Sequence, residues 1–171
     1  MAIVGGSWFT YQSFASNVLY RWFPKDVQDC TRSELGCSLV PDAQKGGNDV
    51  IVMASPNGNH GRFTINQRAY LKANHKYDVC VNIKGVGSVY PAIFPQGGGE
   101  GLYYFHRNIA ATNRNSYTEE CRSITVNRTS NYRMQIIFRP TQRQADGTMT
   151  GLVTVSQIFI KPSAIPISTN K

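Results

Sequence analysis

The segment at residues 77–84 constrains the fold more than any other part of the chain. Apolar residues alternate there with polar or mixed ones, and successive side chains of a β-strand point to opposite faces. The segment is therefore predicted to be a strand with one dry face and one mixed face. The residues of the dry face are Tyr77, Val79, Val81 and Ile83. Gly85 and Gly87 follow and indicate a turn.

A second alternating run precedes it at residues 62–71. One face of this run is formed by Phe63, Ile65, Ala69 and Leu71. A short polar stretch separates the two runs. We therefore expect them to form an antiparallel pair joined by a tight connection.

Short alternating or apolar runs indicate further strands along the rest of the chain. They lie at residues 48–54, 88–94, 102–106, 121–127, 132–139 and 152–160. Residues 17–23 could form a strand or a short helix. No convincing amphipathic helix, internal repeat or domain boundary is present. The chain is therefore predicted to be one all-β domain over residues 1–171, a two-sheet antiparallel β-sandwich of the jelly-roll type.

The alternation also predicts the faces of the later strands. The inward face of residues 132–139 is expected to comprise Tyr132, Met134, Ile136 and Phe138. One face of the last strand is expected to hold Val153, Val155 and Phe159. Its other face is expected to hold Ile158 and Ile160. Pro91 indicates an edge position for its strand, because proline cannot donate a ladder hydrogen bond.

Four stretches lack a clear strand pattern. Residues 24–47 hold several Pro and Gly residues and are predicted to be a long loop or an insertion. Residues 55–61 include an Asn-Gly pair that is typical of a hairpin turn. Residues 109–120 are polar and indicate a surface loop. Residues 162–171 are rich in Pro, Ser and Thr and are predicted to form an extended tail.

The chain is sparsely charged and basic. Charged residues make up 16% of it, against about 25% in a typical globular protein, and the formal net charge is +8. Most of the excess is arginine in the second half, spaced singly rather than in a run. This spacing is more typical of a solvated basic face than of a nucleic-acid-binding arm.

The sequence shows no pattern of a signal peptide or of a membrane-spanning helix. We therefore expect a soluble protein that is made in the cytoplasm. Secretion is the alternative if a leader has been removed.

The four cysteines are Cys30, Cys37, Cys80 and Cys121. None forms the Cys-x-x-Cys pair of a zinc site. Without a secretion signal we expect reduced, packed thiols, although Cys30 and Cys37 could bridge a loop.

The chain lacks the residue arrangements that common enzymes need. Its histidines are His60, His75 and His106, and the first two lie in predicted turns. No Gly-x-Ser-x-Gly nucleophile turn or paired glycosidase carboxylates can be identified. The glycine-rich residues 96–101 lack the Lys-Ser/Thr of a phosphate loop. Asp42, Asn48 and Asp49 could contribute to a calcium site, but the acidic loop pattern is absent. We expect no catalytic residue, no metal and no cofactor.

Binding fits this composition better than catalysis. Exposed aromatic rings can stack on sugar rings, while Asn and Arg can hydrogen-bond sugar hydroxyls. The candidate ligand-binding residues are Tyr90, Tyr103, Tyr104, Arg107, Asn113, Arg114 and Tyr117. Strand alternation would instead place some of these rings in the core. Nucleic acid could use the same residue types, but no nucleic-acid-binding motif is present and this partner is not expected.

The first 23 residues are rich in aromatic side chains. Core packing is one explanation, and a subunit contact is the other, because aromatics are enriched at interfaces. The candidate partner-contact residues are Trp8, Phe9, Tyr11 and Trp22.

Two segments resemble the jelly-roll family of carbohydrate-binding-module-like domains. Within residues 61–84 the matching positions are Gln67, Leu71, Lys72, Ala73, Asn74, Tyr77 and Lys84. Residues 152–161 resemble the closing strand of the same family. The resemblance implies a β-sandwich that binds a glycan or another subunit.

Domains of this family occur beside secreted glycoside hydrolases and in tailed-phage virions, as fibre modules and capsid decoration proteins. The chain looks more like the second group. We expect a non-catalytic virion protein, a decoration (cement) protein or fibre module, that forms a homo-oligomer and binds neighbouring subunits, among them a major capsid protein, with no membrane contact. The alternative is a stand-alone carbohydrate-binding module or lectin that recognises glycans through exposed Tyr, Arg and Asn.

Overall fold

A computed structural model describes residues 18–28, 30, 36–54 and 61–163, and every structural statement below concerns these residues. They form two large antiparallel β-sheets packed face to face, the β-sandwich of jelly-roll type that the sequence predicts. No helix in the described part of the chain has the length and apolar character to cross a membrane.

The strands range from two residues to 11, and β7 and β15 are the longest. In chain order they are β1 (Tyr20–Trp22), β2 (Val27–Gln28), β3 (Cys37–Pro41), β4 (Asp49–Ala54), β5 (Arg62–Ile65), β6 (Ala69–Leu71), β7 (Lys76–Val86), β8 (Ser88–Pro95), β9 (Leu102–Tyr103), β10 (Ile109–Ala110), β11 (Thr118–Thr125), β12 (Ser130–Arg139), β13 (Gln142–Arg143), β14 (Met149–Thr150) and β15 (Leu152–Pro162). Short 3-10 turns occupy Pro24–Asp26 and Ala43–Lys45.

Sheet A has the strand order β11–β7–β15–β4–β3, and β1 pairs with the C-terminal half of β15. Sheet B has the order β10–β8–β12–β5–β2, with β9 also paired to β8 and β6 to β12. The small hairpin β13–β14 stands apart from both.

The chain passes from sheet A to sheet B between β7 and β8, at a single residue. Gly87 has a φ of 139°, and a Cβ at this position would lie 2.5 Å from the ring of Phe138. Only glycine therefore fits at this crossing from one sheet to the other.

The core lies between the sheets and contains the inward residues that alternation predicts. Tyr77, Val79, Val81 and Ile83 of β7 are buried in it, as are the four predicted residues of β12. The predicted apolar face of residues 62–71 is buried as well.

The predicted pairing of residues 62–71 with residues 77–84 is wrong. β5 and β6 pair with β12 in sheet B, whereas β7 pairs with β11 and β15 in sheet A. Each run buries one apolar face, so the two can enclose the same core from opposite sheets. Alternation identifies that face but does not identify the neighbouring strand.

The predicted faces of the last strand are wrong beyond its midpoint. The register of β15 against β7 shifts between Val155 and Gln157, as in a β-bulge. The extra residue changes the side-chain direction of everything that follows. Ile158 and Ile160 therefore join Val153 and Val155 in the core, while Phe159 lies on the outer face.

The strand containing Pro91 is not a simple edge strand. β8 pairs with β12 along its full length and with the two-residue strands β9 and β10 on its other side. The carbonyl of Pro91 accepts a hydrogen bond from the Tyr104 amide on that second side. Because both backbone groups of a residue point the same way in an antiparallel ladder, the missing N–H does not weaken the pairing with β12.

Three segment predictions also need correction. Residues 24–47 are not a uniform loop, because β2 extends sheet B and β3 forms an edge of sheet A. β11 begins at Thr118, inside the predicted surface loop, and β15 extends to Pro162, inside the predicted tail. The predicted hairpin turn at residues 55–60 lies outside the described residues.

The expectation of reduced cysteines is wrong. Cys30 is bonded to Cys37, and Cys80 is bonded to Cys121 directly across the β7–β11 ladder. Cys80, Glu119 and Cys121 are the one grouping of possible metal ligands in the described part of the chain. Since both thiols are consumed by the disulfide, this grouping is not a metal site.

Candidate functional site

An aromatic cluster lies on the outer face of sheet B, the face that points away from the core. It consists of Tyr90 and Phe94 on β8, Tyr103 on β9 and Phe105 just after β9. Tyr103 and Phe105 are 48% and 49% exposed, whereas Tyr90 is almost fully buried beneath its neighbours. Two aromatic rings are therefore half open to solvent on this side of the molecule.

The four rings form a continuous series. The Tyr90 and Phe105 ring centroids are 5.1 Å apart, and those of Phe105 and Tyr103 are 5.6 Å apart with the rings within 12° of parallel. Phe94 meets Tyr103 edge to face at 5.7 Å. Each ring fixes the orientation of the next, so the two exposed rings are supported from below.

Strand alternation explains why these rings share one face. Tyr90, Ala92 and Phe94 occupy alternate positions of β8, and Tyr103 lies directly opposite Ala92. A Cβ on Gly101 would lie 2.4 Å from the Phe94 ring, so a glycine is needed at this position. Tyr90, Ala92 and Ile137 form a small apolar cluster separate from the main core.

Polar side chains of β12 border the aromatic cluster. The Arg133 guanidinium carbon lies 5.8 Å from the centroid of the Phe94 ring, in a cation–π contact. The Gln135 amide donates to the Thr64 hydroxyl at 3.2 Å. When its amide is oriented to match its neighbours, Asn108 accepts from Arg139 Nη1 and donates to the Phe105 carbonyl, both at 3.1 Å.

Burial raises the pKa of Tyr90, and the positive charge of Arg139 partly opposes that rise. The Tyr90 hydroxyl is therefore neutral at physiological pH.

A second polar group of residues lies at one end of sheet A, and we call it the polar corner. It consists of Asp42, Gln44, Lys45, Lys84 and Tyr117. Lys84 Nζ is 2.7 Å from Asp42 Oδ2 and 3.1 Å from Gln44 Oε1, and the Tyr117 hydroxyl donates to the same Asp42 oxygen at 2.9 Å. The ammonium groups of Lys45 and Lys84 lie 4.4 and 4.5 Å from the Tyr117 ring centroid.

The charged and polar groups of the polar corner bind one another. The hydrogen bond from Lys84 lowers the pKa of Asp42, and the hydrogen bond from Tyr117 adds to this effect. Burial raises the pKa of Tyr117, and its contact with the Asp42 carboxylate raises it further. From the sequence, Asp42 could have contributed to a calcium site. In the structure its carboxylate is bound by Lys84 and Tyr117 instead.

The structure places five of the seven candidate ligand-binding residues at or near these two groups. Tyr90 and Tyr103 belong to the aromatic cluster, and Tyr117 belongs to the polar corner. Asn113 accepts hydrogen bonds from the backbone amides of residues 115 and 116 in the loop before Tyr117, and Arg114 is exposed in the same loop.

Tyr104 and Arg107 join neither group. Tyr104 points to the opposite side of its segment from Tyr103, packs against the core and donates to the Thr125 carbonyl at 2.8 Å. Burial raises the pKa of Tyr104 to about 12. Arg107 is exposed in the turn after β9, where its backbone amide binds the Tyr104 carbonyl.

Trp22 cannot serve as the predicted partner-contact residue. Its side chain is 1% exposed, because β1 pairs with β15 and directs the indole into the core. The other predicted contact residues, Trp8, Phe9 and Tyr11, lie outside the described residues.

The sequence reasoning missed two rings and the basic border of the cluster. Phe94 is on the same alternating face as Tyr90, and Phe105 is two positions after Tyr103. Strand alternation could therefore have predicted that each of these phenylalanines shares a face with a candidate tyrosine. Nothing local in the sequence indicates that Arg133 and Arg139 lie beside these rings, because β12 and β8 are far apart in the chain.

Comparisons with known proteins give a fold likeness. The sequence matches no protein-family model and no curated protein sequence. The apo structure of CBM1 of BiXyn10A matches with 12% identity and a TM-score of 0.51, over 86% of this chain and 99% of that one. The xylohexaose complex of the CBM22-1–GH10 modules of Clostridium thermocellum xylanase 10B matches with 11% identity and a TM-score of 0.53, over 91% of this chain and 30% of that one.

A third solved structure is the enzymatically active domain of bacteriophage CBA120 tailspike protein 4. It matches with 12% identity and a TM-score of 0.45, over 74% of this chain and 18% of that one, which is too weak to support an argument. The chain is therefore similar in fold to carbohydrate-binding modules of the jelly-roll type.

Proposed function

We propose that the protein is a non-catalytic glycan-binding module that holds a polysaccharide against the outer face of sheet B. The observation that carries this proposal is the half-exposed ring pair Tyr103 and Phe105, bordered by polar side chains of β12. A sugar ring presents an apolar C–H face that stacks on an aromatic ring. Its hydroxyls need the kind of hydrogen-bonding groups that Gln135 and Asn108 provide.

The geometry supports a binding role over a catalytic one. Tyr103 lies on β9, and Phe105, in the turn that follows, is supported by the Tyr90 and Tyr103 rings, so little ordering is needed on binding. The solved carbohydrate-binding modules that are similar in fold are an analogy only, because one fold can carry many functions. The exposed rings carry the proposal.

Substitution of the exposed rings tests the proposal. Phe105→Ala and Tyr103→Ala should each weaken binding to the best ligand of a glycan array by about tenfold or more, because exposed anchors of this kind dominate binding energy. The melting temperature should change little, since each ring is half exposed. Phe23→Ala is the matched control, because Phe23 is 42% exposed but lies at the end of β1 in sheet A.

The proposal fails if no glycan on an array of neutral and acidic polysaccharides is bound. It also fails if binding survives both ring substitutions unchanged.

The virion role expected from the sequence has no specific observation in its favour on the described residues. A capsid decoration protein or fibre module, its protein partners and a homo-oligomeric state therefore remain predictions. Light scattering at low concentration measures the oligomeric state directly: a stable trimer or larger assembly without glycan binding would favour the virion role, and a monomer with a glycan ligand would oppose it.

A further inference from the structure

We infer that the glycan bound by the outer face of sheet B is acidic, a polysaccharide that carries carboxylate or sulfate groups. This inference rests on the proposed function and specifies its ligand class. It depends on the charges that surround the aromatic cluster.

The strand positions on this outer face carry three arginines and no acidic residue. Arg133 and Arg139 are outward residues of β12, and Arg62 of β5 lies directly opposite Ile137. All three are exposed. The two ion pairs of the described residues, Lys84–Asp42 and Lys161–Glu119, both involve sheet A. The three arginines therefore have no carboxylate partner in the described part of the chain.

The arginines lie at the two ends of the ring series. Arg133 contacts Phe94 at one end. Arg139 is held by Asn108 near Phe105 at the other end. Arg62 is a diagonal neighbour of Arg139 across the β5–β12 pair. Arg139 lies six positions after Arg133 on β12, a distance of about 20 Å along an extended strand.

This arrangement suits an extended polymer with repeated negative groups. The planar guanidinium matches carboxylate and sulfate oxygens with paired N–H donors. A polysaccharide that stacks on Tyr103 and Phe105 would place its anionic groups within reach of the arginines on both sides. A neutral glycan would leave all three cations unpaired.

Matched polymers that differ only in charge test this inference on the whole chain. Polygalacturonate is compared with its fully methyl-esterified form, and dextran sulfate with dextran, so the pairs separate carboxylate from sulfate recognition. Single-stranded oligo(dT) tests whether a nucleic acid uses the same surface. The wild-type protein should bind at least one charged polymer about tenfold more tightly than its uncharged counterpart.

Arg133→Gln and Arg139→Gln should each weaken binding to the charged polymer about threefold at low salt, and should weaken binding to the uncharged polymer less than that. The triple variant with Arg62→Gln should bind both forms equally. Arg114→Gln removes the same charge from an exposed loop away from the cluster and should have no effect. Phe105→Ala should weaken binding to the charged polymer too, which simple attraction of a polyanion would not require.

The outcomes separate this inference from the proposed function. Equal binding of charged and uncharged glycans that still depends on Phe105 overturns the acidic ligand and leaves glycan binding intact. Absence of binding to every glycan overturns both. Charged-polymer binding that survives Phe105→Ala, or tighter binding of oligo(dT) than of any glycan, also overturns the inference.

Discussion

The outer faces of the two sheets are both formed by alternate residues of their strands, but they differ in whether their side chains bind one another. On sheet A, Cys80 and Cys121 form a disulfide, Lys161 pairs with Glu119 at 3.1 Å, and Asp78 accepts hydrogen bonds from Ser123 and Ser163 at 2.6 and 2.5 Å. On sheet B, Tyr103 and Phe105 are half exposed and the neighbouring arginines lack a carboxylate partner among the described residues.

The difference bears on where a ligand would gain most. Side chains that satisfy each other have little to gain from a ligand, because a ligand must replace contacts that already exist. Exposed rings, and cations without a carboxylate partner among the described residues, gain contacts when a ligand arrives. The comparison therefore favours sheet B for the proposed glycan site, although both faces contain aromatic and charged residues.

One phenylalanine on each face makes the contrast specific. Phe159 is 5% exposed, with Arg21 at 6.0 Å and Lys161 at 5.8 Å from its ring centroid. Phe105 is 49% exposed. The first ring is covered by the chain itself, and the second is open to a ligand.

The largest expected effect comes from opening the disulfide on sheet A. Replacing Cys80 and Cys121 together by alanine should lower the free energy of unfolding by roughly 4 kcal/mol, because the bond closes a loop with a sequence separation of 41. Urea denaturation measures this change. Glycan binding should persist under conditions where the variant is folded. A loss below about 1 kcal/mol would contradict a structural role for the bond.

The bond between Cys30 and Cys37 is the internal comparison for that experiment. Its sequence separation is 7, so the same loop-closure argument gives roughly 2 kcal/mol. A larger effect from this pair than from Cys80–Cys121 would show that loop closure does not govern their contributions.

The two phenylalanines should respond in opposite ways to alanine substitution. Phe159→Ala should lower the free energy of unfolding by about 1.5–3 kcal/mol, the usual value for a buried phenylalanine, and leave glycan affinity unchanged in the folded protein. Phe105→Ala should have the reverse pattern. Parallel denaturation curves and binding titrations measure both properties. If Phe159→Ala weakens glycan binding as strongly as Phe105→Ala, the assignment of the binding site to sheet B is wrong.

The smallest expected effect is on how stability depends on acidic pH through the polar corner. Lys84 lowers the pKa of Asp42 below its ordinary value of 3.8, so the folded protein holds this proton more weakly than the unfolded chain does. The resulting stabilisation is present above pH 3.8 and is lost as the pH falls through the lowered pKa. Lys84→Gln should therefore flatten the dependence of the melting temperature on pH in this acid range.

Tyr117→Phe provides the matched control for the acid experiment. It removes the weaker hydrogen-bonding effect on Asp42 and should flatten the pH dependence less than Lys84→Gln does. An identical pH profile for wild type and Lys84→Gln would show that the ion pair contributes nothing measurable to the corner.

The alternation of apolar and polar residues is enough to predict much of the sandwich core. The inward residues of β7 and β12 are where alternation predicts them, because a strand with one buried face must repeat every second residue. Alternation failed in β15, where a bulge after Val155 reverses the faces and moves Phe159 out of the core. Alternation alone does not reveal this bulge, since each of the two alternating sets of residues in β15 contains both apolar and polar side chains.

The candidate site was only partly predictable for a related reason. The sequence suggests four tyrosines as rings that stack on a ligand, and Tyr90 and Tyr103 do lie in the aromatic cluster. Tyr104 instead faces the core, and Tyr117 lies at the polar corner on sheet A. Residue type gives the kind of contact a side chain can make. The direction and surroundings of that side chain depend on pairing between distant strands.

The sequence by itself determined an all-β chain, the inward residues of β7 and β12 and the supply of aromatic rings and arginines, because these depend on local alternation and composition. The tertiary structure decided which sheet each strand joins, which cysteines are bonded and which rings meet which arginines. Those choices depend on long-range pairing, whose free energy is shared among residues far apart in the chain, so no local pattern contains them.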